Sequence, residues 1–117
     1  MAIVDRAKPV RHFGDLKVVS KDVDGPASYV QGTGTLLNAS DFGLSVIEFF
    51  TIGNPVVTAT QATTHYVDAW MINPNKGAAQ QGSTQIRVLW SVFATGAEVA
   101  GAVNLSGQSF EITAFGY

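Results

Sequence analysis

The chain contains no cysteine, and this absence excludes disulfide bonds, thiolate nucleophiles and cysteine metal ligands. Charge is scarce as well: Asp, Glu, Lys and Arg make up 14% of the 117 residues, whereas an ordinary soluble domain has about 25%. This number of charged residues is too small to cover the whole surface of a monomer. We therefore expect part of the surface to be an interface with another protein.

Long apolar runs are also missing. No stretch approaches the roughly 20 apolar residues that a membrane-spanning helix needs, and charged residues interrupt the N-terminus before an apolar leader could form. We expect a protein without a membrane span or a secretory signal, made in the cytoplasm. A chain of 117 residues with 46% hydrophobic content is typical of one domain around one core.

Helical periodicity is absent, and short β-branched and aromatic stretches alternate with Gly, Pro and Asn turn signals. About five to eight strands separated by turns predict an all-β domain, a small sandwich or barrel that is jelly-roll-like. At most one short helical turn is predicted, where Asn38 or Ser40 caps free amides and Gly43 closes the turn in the left-handed region. We assign residues 1–12 to an extended N-terminal arm and residues 13–117 to a single β domain.

The clearest strand is predicted at residues 84–94. One of its faces is formed by Ile86, Val88, Trp90 and Val92. We expect this face to be buried, with Phe110 and Ile112 on a neighbouring strand. The opposite face also carries large apolar residues, Leu89 and Phe93. Because one sandwich core buries only one face of each strand, the second face needs a cover, and another subunit is the simplest one.

Charge is distributed unevenly along the chain. Five of the seven basic residues lie in the first 21 positions, whereas residues 22–117 carry two basic and seven acidic residues. We predict that the N-terminal arm docks on a neighbouring subunit or another protein, through burial of Ile3 and Val4 and through contacts of Arg6, Lys8 and Arg11 with acidic groups. The alternative is a frayed terminus. The acidic body argues against direct binding of nucleic acid.

Residues with catalytic or metal-binding chemistry are few and scattered. His12 and His65 are far apart in sequence, and Asp68, three positions after His65, would point to the opposite face of a strand. A sandwich could bring the carboxylates of Asp68 and Glu111 together, but no pattern indicates it. We therefore predict that the protein is not an enzyme and has no catalytic residues, no metal site and no cofactor.

Five segments together resemble the sequences of a known class of protein. They are residues 11–16 (RHFGDL), 25–30 (GPASYV), 36–44 (LLNASDFGL), 87–96 (RVLWSVFATG) and 110–116 (FEITAFG). In this order they resemble small virion proteins of tailed bacteriophages that are encoded near the major capsid protein, including capsid decoration (cement) proteins. The resemblance extends over most of the chain from residue 11 onward and contains no catalytic signature.

This resemblance implies a β-rich homo-oligomer, commonly a homotrimer, that sits on the outside of the phage head where capsomers meet. Its partners would be other copies of the chain and the major capsid protein, and its place would be the exterior of the virion. Such a protein clamps neighbouring capsid subunits against the pressure of the packaged DNA by buried area and arm exchange rather than by a reaction.

Two alternatives stay open. Another phage structural subunit, from the tail tube, head completion or fibre, would share the same features. A small carbohydrate-binding sandwich would use exposed aromatic rings as stacking platforms, and an aromatic residue in a β domain belongs more often to the core. The candidate platforms are Tyr29, Tyr66, Trp70, Trp90 and Tyr117.

Overall fold

The computed structural model of the chain describes residues 2–4, 11–53, 56–57, 65–74 and 82–117. Within them the backbone forms nine β-strands and one short 3-10 helix, Ala39–Phe42. The strands, in chain order, are β1 (Ala2–Val4), β2 (Arg11–Phe13), β3 (Leu16–Asp24), β4 (Thr35–Asn38), β5 (Ile47–Ile52), β6 (Val56–Val57), β7 (His65–Met71), β8 (Gln85–Val92) and β9 (Gln108–Gly116). The all-β class predicted from the sequence is confirmed.

The strands form two antiparallel sheets. The six-stranded sheet has the order β1-β3-β9-β5, with β2 also paired to β3 and β6 also paired to β9, and the three-stranded sheet has the order β4-β8-β7. Two backbone hydrogen bonds of 2.8 and 2.9 Å between Ile47 and Ser83 join the start of β5 to the chain just before β8. The two sheets are therefore tied together at this point.

The hydrophobic core lies between the two sheets. Ile86, Val88 and Trp90 of β8 are fully buried in it, and Val92, at the end of the same strand, is partly buried against it. The predicted burial of this face of β8 is confirmed. Alternation along a strand places every second side chain on the same side, so the sequence pattern alone identifies the buried face.

The predicted position of Phe110 and Ile112 on a strand next to β8 is wrong. Both residues belong to β9, which lies in the six-stranded sheet. They face β8 across the core, and the rings of Trp90 and Phe110 meet edge to face with their centroids 5.7 Å apart. Apolar alternation shows that a residue faces the core, but it does not say from which sheet.

The predicted helical turn is confirmed as the 3-10 helix. Gly43 ends it with φ of 69° in the left-handed region, and its N–H donates to the carbonyl of Ser40 over 3.1 Å. At the start of the turn, the Asp41 carboxylate accepts the N–H of Asn38 over 2.8 Å. This turn connects β4 to β5 and carries the chain from one sheet to the other.

Two segments of the predicted N-terminal arm lie in the sheet of their own chain. β1 pairs with Asp22–Asp24 of β3, and β2 pairs with residues 16–18 of the same strand. The sequence predicted that residues 1–12 extend away from the body, and for these two segments the structure shows backbone pairing with β3 instead. An edge strand offers a row of backbone N–H and C=O groups, which this pairing satisfies. Arg6 and Lys8 lie outside the described residues.

Candidate interaction surfaces

Large apolar side chains are exposed on the outer sides of both sheets. Phe49 of β5 is 43% exposed, and Trp70 of β7 is 45% exposed. Phe49 is on the outside of the six-stranded sheet and Trp70 on the outside of the three-stranded sheet, because their neighbours along each strand point toward the core. The sequence predicts two apolar faces for the strand at residues 84–94, and the structure exposes large apolar side chains on the outer faces of β5 and β7.

We call the outer side of the six-stranded sheet the phenylalanine face. Its described residues include Val18, Ser20, Phe49, Thr51, Thr113 and Phe115. Phe49 and Phe115 are directly opposite on β5 and β9, and their rings stack with centroids 4.2 Å apart and an angle of 13° between the planes. Val18 pairs with Phe115 from the other side. These three residues form an apolar row across three strands.

Polar rows follow the apolar row along the phenylalanine face. The hydroxyls of Ser20 and Thr113 are hydrogen-bonded over 2.8 Å, and the exposed Thr51 is the partner of Thr113 on β5. Asp22 and Glu111 come next and are also directly opposite each other. The face therefore changes from apolar to hydroxyl-bearing to acidic along the strands.

A carboxylate borders the phenylalanine face at its apolar end. Glu48 lies where the pairing of β5 with β9 shifts register, between Ile47 and Phe49. It accepts a hydrogen bond from the hydroxyl of Tyr117, and this bond is the main reason that the pKa of Tyr117 is raised. The proton of Tyr117 is thus held more firmly than in a free tyrosine.

We call the outer side of the three-stranded sheet the tryptophan face. Its central residues are Leu36, Asp68, Trp70, Arg87 and Leu89. Arg87 of β8 stands between Trp70 of β7 and Leu36 of β4, and Leu89 is the partner of the exposed Asp68. The guanidinium of Arg87 donates through Nη1 to the carbonyl of Thr33 over 2.7 Å. At one end of the sheet, the rings of Tyr66 and Phe93 meet edge to face at 5.4 Å.

A buried tyrosine connects the loops around β8. The hydroxyl of Tyr29 donates to Oε2 of Glu98 over 2.8 Å and accepts the backbone N–H of Trp90 over 3.1 Å. The same Glu98 oxygen accepts the N–H of Gly32 over 2.8 Å. Burial, reinforced by the Glu98 carboxylate, raises the pKa of Tyr29 to about 12 from its ordinary value of 10.0. This network therefore favours a neutral tyrosine.

The structure separates most residues that the sequence singled out for chemistry. Asp68 is on the tryptophan face and Glu111 on the phenylalanine face, so these carboxylates lie on opposite sides of the molecule. The ring of His65 contacts Gln108, with Nδ1 2.6 Å from Nε2. No group of three His, Asp or Glu residues that could hold a metal ion is found in the described ranges.

The predicted interface residues of the arm have no described side-chain contacts. Ile3 and Val4 pair through their backbone with Val23 and Asp22, and Arg11 pairs with Val18. Their side chains, with Arg6 and Lys8, lie outside the described part of the chain. Docking of the arm on a neighbour stays a prediction.

Burial excludes some of the aromatic rings that were considered as sugar-stacking platforms. Tyr29 and Trp90 are 2% and 0% exposed, so neither ring can stack on a ligand. Tyr66 and Tyr117 are partly buried, and Trp70 alone among the five candidates is an exposed ring. A sugar-binding surface built on several stacked rings is therefore not what these residues form.

Two residues of the phenylalanine face, Val18 and Phe115, were not singled out by the sequence analysis. The signal was present, since both alternate with buried residues, Val19 in β3 and Ala114 in β9. It showed that they point outward but not that both are partners in one row with Phe49. That arrangement depends on pairing between strands that are distant in sequence.

Comparisons with known proteins identify no relative. No family model, no curated protein and no solved structure matches the chain. Among the described residues, no helix has the length and apolar character needed to cross a membrane.

Proposed function

We propose that the chain is a structural protein of a tailed-bacteriophage virion, a capsid decoration protein that binds the outside of the head and reinforces contacts between capsid subunits. One observation carries the proposal: the molecule exposes large aromatic side chains on the outer sides of both of its sheets. Exposed apolar patches of this kind mark surfaces that another protein covers. A subunit with covered surfaces on two opposite sides suits a layered assembly.

The phenylalanine face is the side we assign to the capsid. Its row of Val18, Phe115 and Phe49 is apolar, and the neighbouring row offers hydroxyls of Ser20, Thr113 and Thr51. An apolar centre bordered by polar groups is the usual anatomy of a protein interface. The position on the exterior of the virion belongs to this proposal and is open to the same experiments. The homotrimer implied by the resemblance would form only on the head, where capsomers meet.

The test is binding to heads of the phage that encodes the chain, purified without this protein. The parent chain should sediment with the heads. Phe49→Ser removes the stacked ring, and Thr51→Arg places a bulky charge in the exposed hydroxyl row. Each substitution should weaken binding by roughly tenfold or more, since both alter the centre of the contact.

Val30→Asp is the matched control, because Val30 is 57% exposed in the loop between β3 and β4 and is not part of the phenylalanine face. It should leave binding unchanged. Circular dichroism and thermal melting would show that each variant is folded, and Thr51→Arg keeps the test valid if Phe49→Ser is unstable. A parent chain that stays in the supernatant, or that sediments with tails instead of heads, would overturn the proposal. So would equal binding by all variants.

A further inference from the structure

The tryptophan face carries opposite charges on opposite sides of its central strand. Asp68 is the partner of Leu89 and lies on the β7 side of β8. The Arg87 guanidinium lies on the β4 side, because its Nη1 donates to the carbonyl of Thr33, two residues before β4 begins. Leu89 therefore points outward between a carboxylate on one side and a guanidinium on the other.

The apolar groups of the face are divided in the same way. Trp70 lies on the β7 side of Arg87 and Leu36 on its β4 side, at the same level along the strands. Trp70 is 45% exposed and Leu36 is partly buried. The large ring of Trp70 on the β7 side therefore lies at the same level as the smaller side chain of Leu36 on the β4 side.

A two-fold axis that runs along β8 in the plane of the face exchanges these two sides. Two copies related by this axis would place Leu89 against Leu89. Asp68 of each copy would meet Arg87 of the other, and Trp70 would meet Leu36. Their strands would remain roughly aligned, as in ordinary face-to-face packing of sheets. An isologous contact requires such self-complementarity, in which each element of the patch meets its counterpart on the same patch.

We propose that the tryptophan face is a contact between two copies of this chain, related by two-fold symmetry. The charges favour a second copy over another partner, because the patch supplies both members of each ion pair. The guanidinium uses one N–H for Thr33 and keeps further donors for a carboxylate. Among the described residues Asp68 has no hydrogen bond or ion pair of its own. This contact does not depend on binding to a capsid.

Charge reversal tests the contact through the mass of the particle in solution. Light scattering coupled to size exclusion should give twice the 12.4 kDa of one chain for the parent. Asp68→Arg leaves two positive groups on the patch and Arg87→Glu leaves two negative ones. Each variant alone should therefore dissociate into monomers at concentrations where the parent is dimeric, with a Kd raised by roughly tenfold or more.

Mixing the two variants provides the decisive result. In a mixed dimer, each charged side chain at position 68 or 87 faces a side chain of opposite charge on the other chain. An equimolar mixture should therefore recover the dimeric mass. An effect confined to one chain, such as a local change of folding, would not be repaired by mixing. Lys17→Glu is the matched control, since it reverses an exposed charge on the other sheet and should leave the dimer intact.

Trp70→Ala provides a test that leaves the charges unchanged, and it should also weaken the dimer while the chain stays folded. The proposal is overturned by a parent chain that is monomeric at ~0.1 mM, because the Kd of the dimer would then lie above this concentration. A trimeric mass would overturn it as well, because a three-fold ring uses two different patches. A mixture of the charge variants that remains monomeric would have the same consequence.

Discussion

At the scale of single residues, burial assigns a role to each tryptophan. Trp90 is completely enclosed and contacts Phe110 across the core, whereas Trp70 is nearly half exposed on the outside of the same sheet. The two residues lie on adjacent strands of the three-stranded sheet. The two tryptophans therefore have different roles: Trp90 stabilises the fold, and Trp70 belongs to the contact that we propose.

Trp90→Ala should lower the free energy of unfolding by about 3 to 5 kcal/mol, because it removes a large buried side chain and leaves a cavity between the sheets. Trp70→Ala is the matched control and should cost less than about 1 kcal/mol in the monomer. The ring of Trp70 is already nearly half exposed, and its removal leaves no cavity between the sheets. Chemical denaturation of dilute samples measures both values. Equal costs for the two substitutions would contradict the assignment of Trp90 to the core.

At the scale of elements, the N-terminal segment lies along the edge of β3 through two separate pairings. Between Val19 and Ala114 the described residues supply a hydrophobic core. The segment adds backbone pairing to the edge of the sheet, and we expect the domain to fold without it. Its basic residues bring positive charge to a domain whose remaining charge is mostly negative.

Deleting residues 2–11 should leave a folded β domain with a lower melting temperature, because the edge of β3 loses the backbone pairing of β1. We also expect weaker attachment to capsids, as predicted for the arm from its sequence. Exposed ion pairs contribute only about 0 to 1 kcal/mol each, so replacing Arg6 and Lys8 by Gln should weaken attachment less than the deletion does. Unchanged binding of the deletion variant at low and moderate salt would refute a role for the arm.

At the scale of the whole molecule, Tyr29 connects loops that pass over the core to its central strand β8. Its hydroxyl contacts both the backbone of Trp90 and the Glu98 carboxylate, and Glu98 in turn holds the N–H of Gly32. A negative charge on this buried hydroxyl would face the carboxylate at close range. The integrity of this region is therefore coupled to the protonation of one tyrosine.

The protein should lose stability at alkaline pH because the pKa of Tyr29 is higher in the folded chain, about 12, than its ordinary value of 10.0. A raised pKa means that the folded state retains the proton more tightly, so this contribution is complete below pH 10.0 and disappears as the pH rises toward about 12. Denaturation curves measured across this range should show a steeper decline for the parent than for Tyr29→Phe.

At neutral pH Tyr29→Phe should be less stable than the parent, because it loses the bonds to Glu98 and to the N–H of Trp90. Tyr66→Phe is the matched control for the loss of a tyrosine hydroxyl, since among the described residues the hydroxyl of Tyr66 makes one long hydrogen bond, of 3.4 Å, to the carbonyl of Gly96. If the stability of Tyr29→Phe falls with pH in step with that of the parent, Tyr29 does not control the alkaline transition.

The sequence by itself determined the all-β class, the inward side of β8 and the turn closed by Gly43, because alternation and turn chemistry act between residues that are close along the chain. Only the tertiary structure decided that β9 packs in the sheet opposite β8, since an apolar residue is equally suited to either sheet. It also decided that Phe49 stacks on Phe115 and that Asp68 and Arg87 lie on opposite sides of Leu89. Those arrangements depend on the pairing of strands far apart in sequence, which local patterns do not encode.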